Sequence, residues 1–350
     1  MIRVLHFADV INDYDFIDNV VKFCDRSKFH VKCWQIKPKF RPGSRKMFKK
    51  ALELSGILKD RNIDILHTHH FIPTVIGIIA ARIAGTKHIV FGRHYSNELY
   101  HIKNPLKRFA YFQLEKLMHR FVDAIVVPSK MVYEILEKQG APMDKVHMIH
   151  YGFDFSRFKV SDKQVEGVRK ELGLDGQFVI STIARLVPQK GHRYLFEAIK
   201  VLSKSRPEIL WLVIGDGPEM ASLCRDSRWD GFGKHVRCIG YRDDVLALIA
   251  ASDIVVQPSM QDSFCQVIVE AMAMLTPIIM TRIGAAEELI ESGRTGVIIS
   301  QGNRVEMASV IATLYDCPDY RRKISNAGYA SIRKLVDIRD IVKKTEELYV

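Results

Sequence analysis

Three clusters in the second half of the chain combine charge and backbone freedom where chemistry could use them. Residues 184–191 read Ala-Arg-Leu-Val-Pro-Gln-Lys-Gly, between a β-rich run at 178–183 and a helical pattern. Arg185 and Lys190 therefore stand at a strand's carboxyl end, just ahead of a helix N-terminus. That placement suits a diphosphate, although a surface turn with two solvated bases fits the same residues. Gly215-Asp216-Gly217-Pro218 follows the run 210–214. Its glycines would let a ligand come close to backbone, and an ordinary strand-to-helix turn is the plainer reading. The third cluster spans 258–272. Asp262 falls in a loop after the run 254–257, and Glu270 comes eight positions later among Val267, Ile268, Val269, Ala271 and Met272. A carboxylate in that setting is costly without a partner, and its two oxygens suit two ribose hydroxyls. A first-turn glutamate stabilised by the helix dipole is the simpler alternative. The backbone N–H groups from Ser263 through Phe264, Cys265 and Gln266 to Val267 open that helix and suit a phosphate or sugar oxygen.

The elements that would position these residues alternate along the whole chain. Short β-rich runs occur at 4–8, 63–67, 88–91, 124–128 and 146–149, then at 178–183, 210–214, 236–239, 254–257, 277–281 and 296–299. Helical periodicity fills the gaps, as at 74–84, 107–119, 131–139, 192–203 and 270–274. This rhythm predicts an α/β protein with two doubly wound parallel sheets, joined near 151–170. Ligands of such sheets bind beyond the strands' carboxyl ends, so a central cleft between two Rossmann-like domains is the expected site.

Composition narrows the classes. Of 350 residues 47% are hydrophobic and 26% charged, a globular balance large enough for two cores. No stretch is long and apolar enough to span a bilayer, and the N-terminal residues read as a strand, not a signal peptide. The six cysteines form no C-x-x-C pair and are expected as buried thiols of a reducing compartment. The net charge of +12 is lopsided. Residues 1–150 hold 25 Lys and Arg against 14 Asp and Glu, whereas 151–350 hold 27 against 26. Residues 37–50 carry seven bases and no acid, interleaved with Phe40, Met47 and Phe48. That pattern favours peripheral contact with an anionic membrane face over a merely solvated stretch. The helical run 104–119, with Lys107, Arg108, Lys116 and Arg120 beside Leu106, Phe109 and Leu117, is either a second such element or an ordinary surface helix. No nucleic-acid module, Walker loop or first-strand G-x-G-x-x-G is present. His67-Thr68-His69-His70 lacks a carboxylate or cysteine partner at zinc spacing and reads as the polar lining of a strand end, so no metal is expected.

Taken in order, the motifs R-x-x-x-x-K-G, G-D-G-P, P-S-x-x-D-x-F-x-x-x-x-x-E-A-M-A and G-x-x-x-E-x-I-x-x-G-x-x-G resemble the second half of the family-four retaining glycosyltransferases (group 1) with the GT-B fold. In the first half, Asp64-Ile65-Leu66-His67-Thr68-His69, Asp123 to Ser129 and Tyr151-Gly152-Phe153-Asp154 resemble the same family, and 338–350 resembles its closing helix. The resemblance implies an acceptor-binding domain over 1–157, completed by about 336–350, and a nucleotide-sugar domain over 158–335. It also implies residue roles. Arg185 and Lys190 would hold the donor diphosphate, and Glu270 the ribose. Asp262 would lie beside the transferred sugar, with Glu288 in the later glycine loop. His94 would stand near the anomeric carbon and acceptor, and the loop Gly240-Tyr241-Arg242 near the base.

The activity implied is retaining transfer of a hexose-type sugar from a UDP- or GDP-linked donor to a lipid-linked or glycan acceptor. It would serve cell-surface polysaccharide or glycoconjugate biosynthesis, with no cofactor or metal, at the cytoplasmic face of the membrane. The rival readings are a sugar-nucleotide epimerase or inverting transferase on the same fold, and an inactive glycan-binding relative. The sequence departs from the family pattern at several positions. The loop 8–16 has no glycine, Asp262 replaces Glu, and Ala184, Cys265 and Leu275 stand where glycine is usual. Where the backbone needs positive φ, each such residue costs on the order of 1 kcal/mol.

Overall fold

The computed structural model describes residues 1–8, 15–36, 44–96, 102–224 and 233–350. Most of the glycine-free loop and the first half of the basic run lie outside the described residues. The chain forms two compact units, Met1–Asp154 with Val336–Val350, and Phe155–Leu335.

In the first unit, β1 (Ile2–Ala8), β2 (Phe29–Gln35), β3 (Ile65–His69), β4 (His88–Gly92), β5 (Ala124–Val127) and β6 (Val146–Met148) form one sheet in the order β2-β1-β3-β4-β5-β6. Every described pairing in it is parallel. Side chains alternate across a strand. Leu5 and Phe7 therefore join Leu66, Phe91 and Ile125 in the core under helices Ser44–Asp60 and Phe71–Ala84, while Val4 joins Ile65, Val90 and Val126 on the other face. Ile341 and Tyr349, from the returning segment, close that second face. The segment docks because Gly152 has no side chain: a Cβ there would lie 2.6 Å from Ile338 Cδ1. Backbone bonds on both sides of Phe153, to Val336 and Ile338, fix it further.

In the second unit, β7 (Phe178–Ile183), β8 (Ile209–Ile214), β9 (Val236–Gly240), β10 (Ile254–Gln257), β11 (Ile278–Thr281) and β12 (Val297–Ile299) give the order β12-β11-β10-β7-β8-β9, again parallel. All six residues of β8 are buried, as a central parallel strand requires. In each sheet the order of connection reverses at one place, between β1 and β3 in the first unit and between β7 and β10 in the second. Such reversals leave a crevice beyond the carboxyl ends.

Two expectations need correction. Strand β2 is missing from the β-rich runs, because an edge strand with one neighbour tolerates His30, Lys32 and Gln35, which hide the alternation. The cysteines are not all thiols. Cys24, Cys33, Cys265 and Cys317 are free, but Cys238 is disulfide-bonded. Its run is the half-exposed edge strand β9 and not the apolar interior its neighbours suggested. Among the described residues, no helix is long and apolar enough to cross a membrane.

Candidate functional site

The reversal in the second unit is bridged by charge. Lys190, after β7, and Asp262, after β10, meet with Nζ and Oδ2 2.6 Å apart, both side chains mostly buried. Burial works against the ammonium, and the Asp262 carboxylate more than compensates, so Lys190 titrates above an ordinary lysine. The Lys190 loop is anchored to the Asp262 loop through backbone. The N–H groups of Met260 and Gln261 both donate to Gln189 O. Gly191 has φ +68°, and a Cβ on it would lie 2.1 Å from Pro258 O, so no other residue lets these loops approach so closely.

Other sequence-predicted residues gather around this pair. Arg185 is exposed on the same loop, close enough for its charge to bear on Lys190. Glu270 is half-buried in the first turn of helix Val267–Ala273. The buried Cys265 thiol lies within the electrostatic reach of Asp262, Lys190 and Glu270 together, and burial first, then Asp262, pushes it far up, so it stays protonated. No side chain caps the helix at Gln266, and of its opening N–H groups those of Ile268 and Val269 donate to Cys265 O and Gln266 O. Asp262 itself turns its other oxygen to the Ser263 N–H at 3.0 Å. Phe264 is buried, with Gly284 packed on its backbone, so only main chain can serve a ligand there.

Gly215 and Asp216 form a turn laid directly on the Arg185 loop. The Leu186 N–H donates to Asp216 O at 2.8 Å, and a Cβ on Gly215 would lie 2.0 Å from Ala184 O. Tyr241 stands 70% exposed after β9, its phenol raised by a hydrogen bond with Asp243. The neighbouring Arg242 is committed to Glu171 and Asp244. Glu288 is half-buried in the short helix Ala286–Leu289. Cys265 and Leu275 hold φ of +67° and +56°, so the left-handed backbone expected of glycine persists without it.

His94 belongs to the first unit. Both of its ring nitrogens are engaged there, Nε2 with His69 Nδ1 at 2.8 Å and Nδ1 with the Tyr151 hydroxyl at 3.0 Å. The chain continues from His69 Nε2 to His6 Nδ1 at 2.9 Å, and from His6 Nε2 to the Tyr349 hydroxyl at 3.2 Å, which also meets His67 Nδ1 at 2.8 Å. These groups straddle the reversal between β1 and β3, where His6 and His67 are register partners. Burial drives His6 down to about 3 and His67, His69 and His94 well below the ordinary imidazole value, so all four are neutral. A neutral imidazole has one donor and one acceptor, so the hydrogen bonds from Tyr349 through His6, His69 and His94 to Tyr151 all run in one sense.

One nitrogen from each of His6, His67 and His69 lies within 4.8 Å of the others, as three ligands of one ion would. The His6 and His69 nitrogens, however, face each other at 2.9 Å. Two ligands of a tetrahedral ion with bonds of about 2.1 Å sit roughly 3.4 Å apart, so hydrogen bonding explains the pair better. Gly92 permits the chain, since a Cβ on it would lie 2.5 Å from His94 Nε2. Sequence reading missed His6, Tyr349 and Gly92. A histidine within the apolar run 4–8 was the one available signal.

Residues 165–331 match the model of glycosyl transferases group 1, and residues 23–157 that of glycosyltransferase family 4. The UDP-Gal:alpha-D-GlcNAc-diphosphoundecaprenol alpha-1,3-galactosyltransferase of Escherichia coli is 27% identical over 85% of this chain and 79% of its own. A putative glycosyltransferase, EpsD, of Bacillus subtilis is 25% identical over 83% and 77%. The crystal structure of Anabaena Alr3699/HepE in complex with UDP-glucose matches with a TM-score of 0.84 at 21% identity, covering 100% of this chain and 99% of that one, which is a likeness of fold.

Proposed function

Since this chain belongs to the group 1 glycosyltransferases and has their GT-B fold, we propose that it transfers a hexose-type sugar, with retention, from a UDP- or GDP-linked donor to a lipid-linked or glycan acceptor. The observation that carries this reading is the Lys190–Asp262 pair across the β7/β10 reversal, with Arg185 and Glu270 beside it. An ammonium has three donors. With one spent on Asp262, Lys190 keeps two for the donor's diphosphate, and Arg185 offers a fork for the same group.

Leaving-group charge would then be met by fixed cations, a role divalent ions play elsewhere, and preorganised charge of this kind is the largest lever in such reactions. Glu270 would accept the ribose hydroxyls, and Asp262 would face the transferred sugar and hold Lys190 in place. The first unit, with the neutral His94 chain, would receive the acceptor, whose hydroxyl attacks the face the diphosphate leaves. A diphosphoundecaprenol-linked acceptor in the Escherichia coli relative favours a lipid-linked acceptor here, used in surface-polysaccharide assembly. The basic first unit would then meet the anionic cytoplasmic leaflet.

The test is incubation with UDP- and GDP-sugars, with the products followed by NMR. An α-linked product or α-sugar released from an α-donor is expected. A β-product would mean inversion and a 2-epimer an epimerase. Tight nucleotide binding without donor consumption would mean an inactive relative.

A further inference from the structure

Helix Pro105–Phe121 is built with its apolar groups on the wrong side for a soluble surface. Its inner face is fixed by a buried carboxylate: Glu115 accepts from Arg93 Nε at 2.8 Å and from the Tyr95 hydroxyl at 2.6 Å. Its outer face shows Leu106, Phe109, Leu117 and Phe121, exposed by 79, 63, 45 and 38%. Their spacing of 3, 8 and 4 residues puts them on one stripe. Single exposed apolar residues need no explanation, but several on one side of a helix, interrupted only by Gln113, do.

The stripe runs into a cavity of about 790 Å³. Gln113, Lys116, Leu117, His119 and Arg120 line it from the helix, and Lys145 closes it with the turn 140–142. Among the described residues, no acidic one lines it. Lys145 is partly committed, since its ammonium donates to Val122 O at 2.8 Å and to His119 O at 3.4 Å. That contact neutralises the helix's carbonyl end, which would otherwise repel an anion. Lys116 and Arg120 are exposed at the mouth. His119 is only 3% exposed, and among the described residues its Nε2 has no partner. Burial lowers the His119 imidazole to about 4, so it acts as a neutral donor or acceptor.

We propose that this cavity binds the phosphate of an anionic membrane lipid, held by Lys116 and Arg120, with the stripe of Leu106, Phe109, Leu117 and Phe121 against the lipid's hydrocarbon. Cations and apolar groups arranged in this order match a leaflet, in which phosphate lies outside the acyl region. The inference gives a specific site to the membrane contact in the proposed function and rests on that part of it, but on none of the donor-site roles.

The test uses the whole protein and vesicles of phosphatidylcholine with or without 30% phosphatidylglycerol, a proportion chosen as roughly that of an anionic leaflet. Wild type should bind the anionic vesicles. The double variant Lys116→Gln/Arg120→Gln should bind them roughly ten- to thirtyfold more weakly, from about a kilocalorie per surface charge. Lys163→Gln/Lys170→Gln, which removes the same charge from an exposed helix of the second unit, should bind nearly as wild type. Phe109→Ser should weaken binding without changing its salt dependence. Equal losses in the two charge variants would overturn the site in favour of diffuse attraction. Thermal stabilisation by inorganic phosphate without vesicle capture would overturn the lipid in favour of a soluble phosphate ligand. Hydrolysis of a soluble nucleotide sugar, measured on each variant, should be unchanged, so a failed lipid result leaves the transferase reading standing.

Discussion

Lys190 and Asp262 are 72 positions apart in sequence and 2.6 Å apart in space, joined across the two strands where the second sheet reverses its order. Their contact has an energetic signature separate from the role of either residue. Lys190→Ala should lower kcat/KM by roughly a hundred- to a thousandfold, the cost of one preorganised donor at a developing charge. Asp262→Asn should cost less. In the double variant the losses should not add, with a coupling of about 1–3 kcal/mol. Additive losses would mean the two act separately on the donor.

Glu270 makes a different prediction, because a ribose partner discriminates between sugars. Calorimetry with the nucleoside diphosphate product should show Glu270→Ala binding roughly ten- to a hundredfold more weakly, as for charge-assisted hydrogen bonds worth about 1.5–3 kcal/mol. The variant should also bind the 2′-deoxy analogue as well as the ribonucleotide. Retained preference for the ribonucleotide would remove Glu270 from the ribose.

Leu275 sits 47% exposed with φ +56°, so it has little packing to lose and backbone strain to relieve. Leu275→Gly should stabilise the protein by about 1 kcal/mol in urea unfolding, the cost of a left-handed non-glycine residue. Cys265 shares the strain but is buried, and its replacement would open a cavity that masks the gain.

The neutral histidines set the acid limit of stability. His6 is lowered to about 3, and His119 and His192 to about 4, in each case chiefly by burial, and His67, His69 and His94 are lowered as well. The unfolded chain protonates these rings below about pH 6.5, and the folded chain does not until the lowered values are reached. Stability is therefore unaffected above pH 6.5 and falls as pH drops from there toward 4. Each histidine contributes a slope of up to about 1.4 kcal/mol per pH unit. Urea midpoints that stay constant between pH 7.5 and 5 would contradict the buried, uncharged state of the chain.

What the sequence disclosed and what it hid follow from the range of the interactions. Residues such as Arg185, Lys190, Asp262 and Glu270 are legible because short motifs place each at a strand's carboxyl end or in a helix's first turn, and a parallel sheet turns that local position into a shared edge. The central strands are legible because burial on both faces leaves unbroken apolar runs. Strand β2 is not, since an exposed edge permits charged residues. The histidine chain is equally hidden. His6, His69, His94 and Tyr349 come from four distant segments, and only strand register and the return of 336–350 bring them together. The need for Gly92 has no local sign either, because it arises from the space two imidazoles require across the sheet.

The docking of 336–350 onto the first sheet has a consequence for biogenesis. Ile341 and Tyr349 cover a face made by strands that leave the ribosome more than two hundred residues earlier. Domains ordinarily mature in the order of their synthesis, but here the earlier one must wait with an apolar flank uncovered while the later one completes itself. During that interval the nascent chain presents a surface for chaperones to guard, and a ribosome stalled within the second unit would leave an aggregation-prone product instead of a finished half.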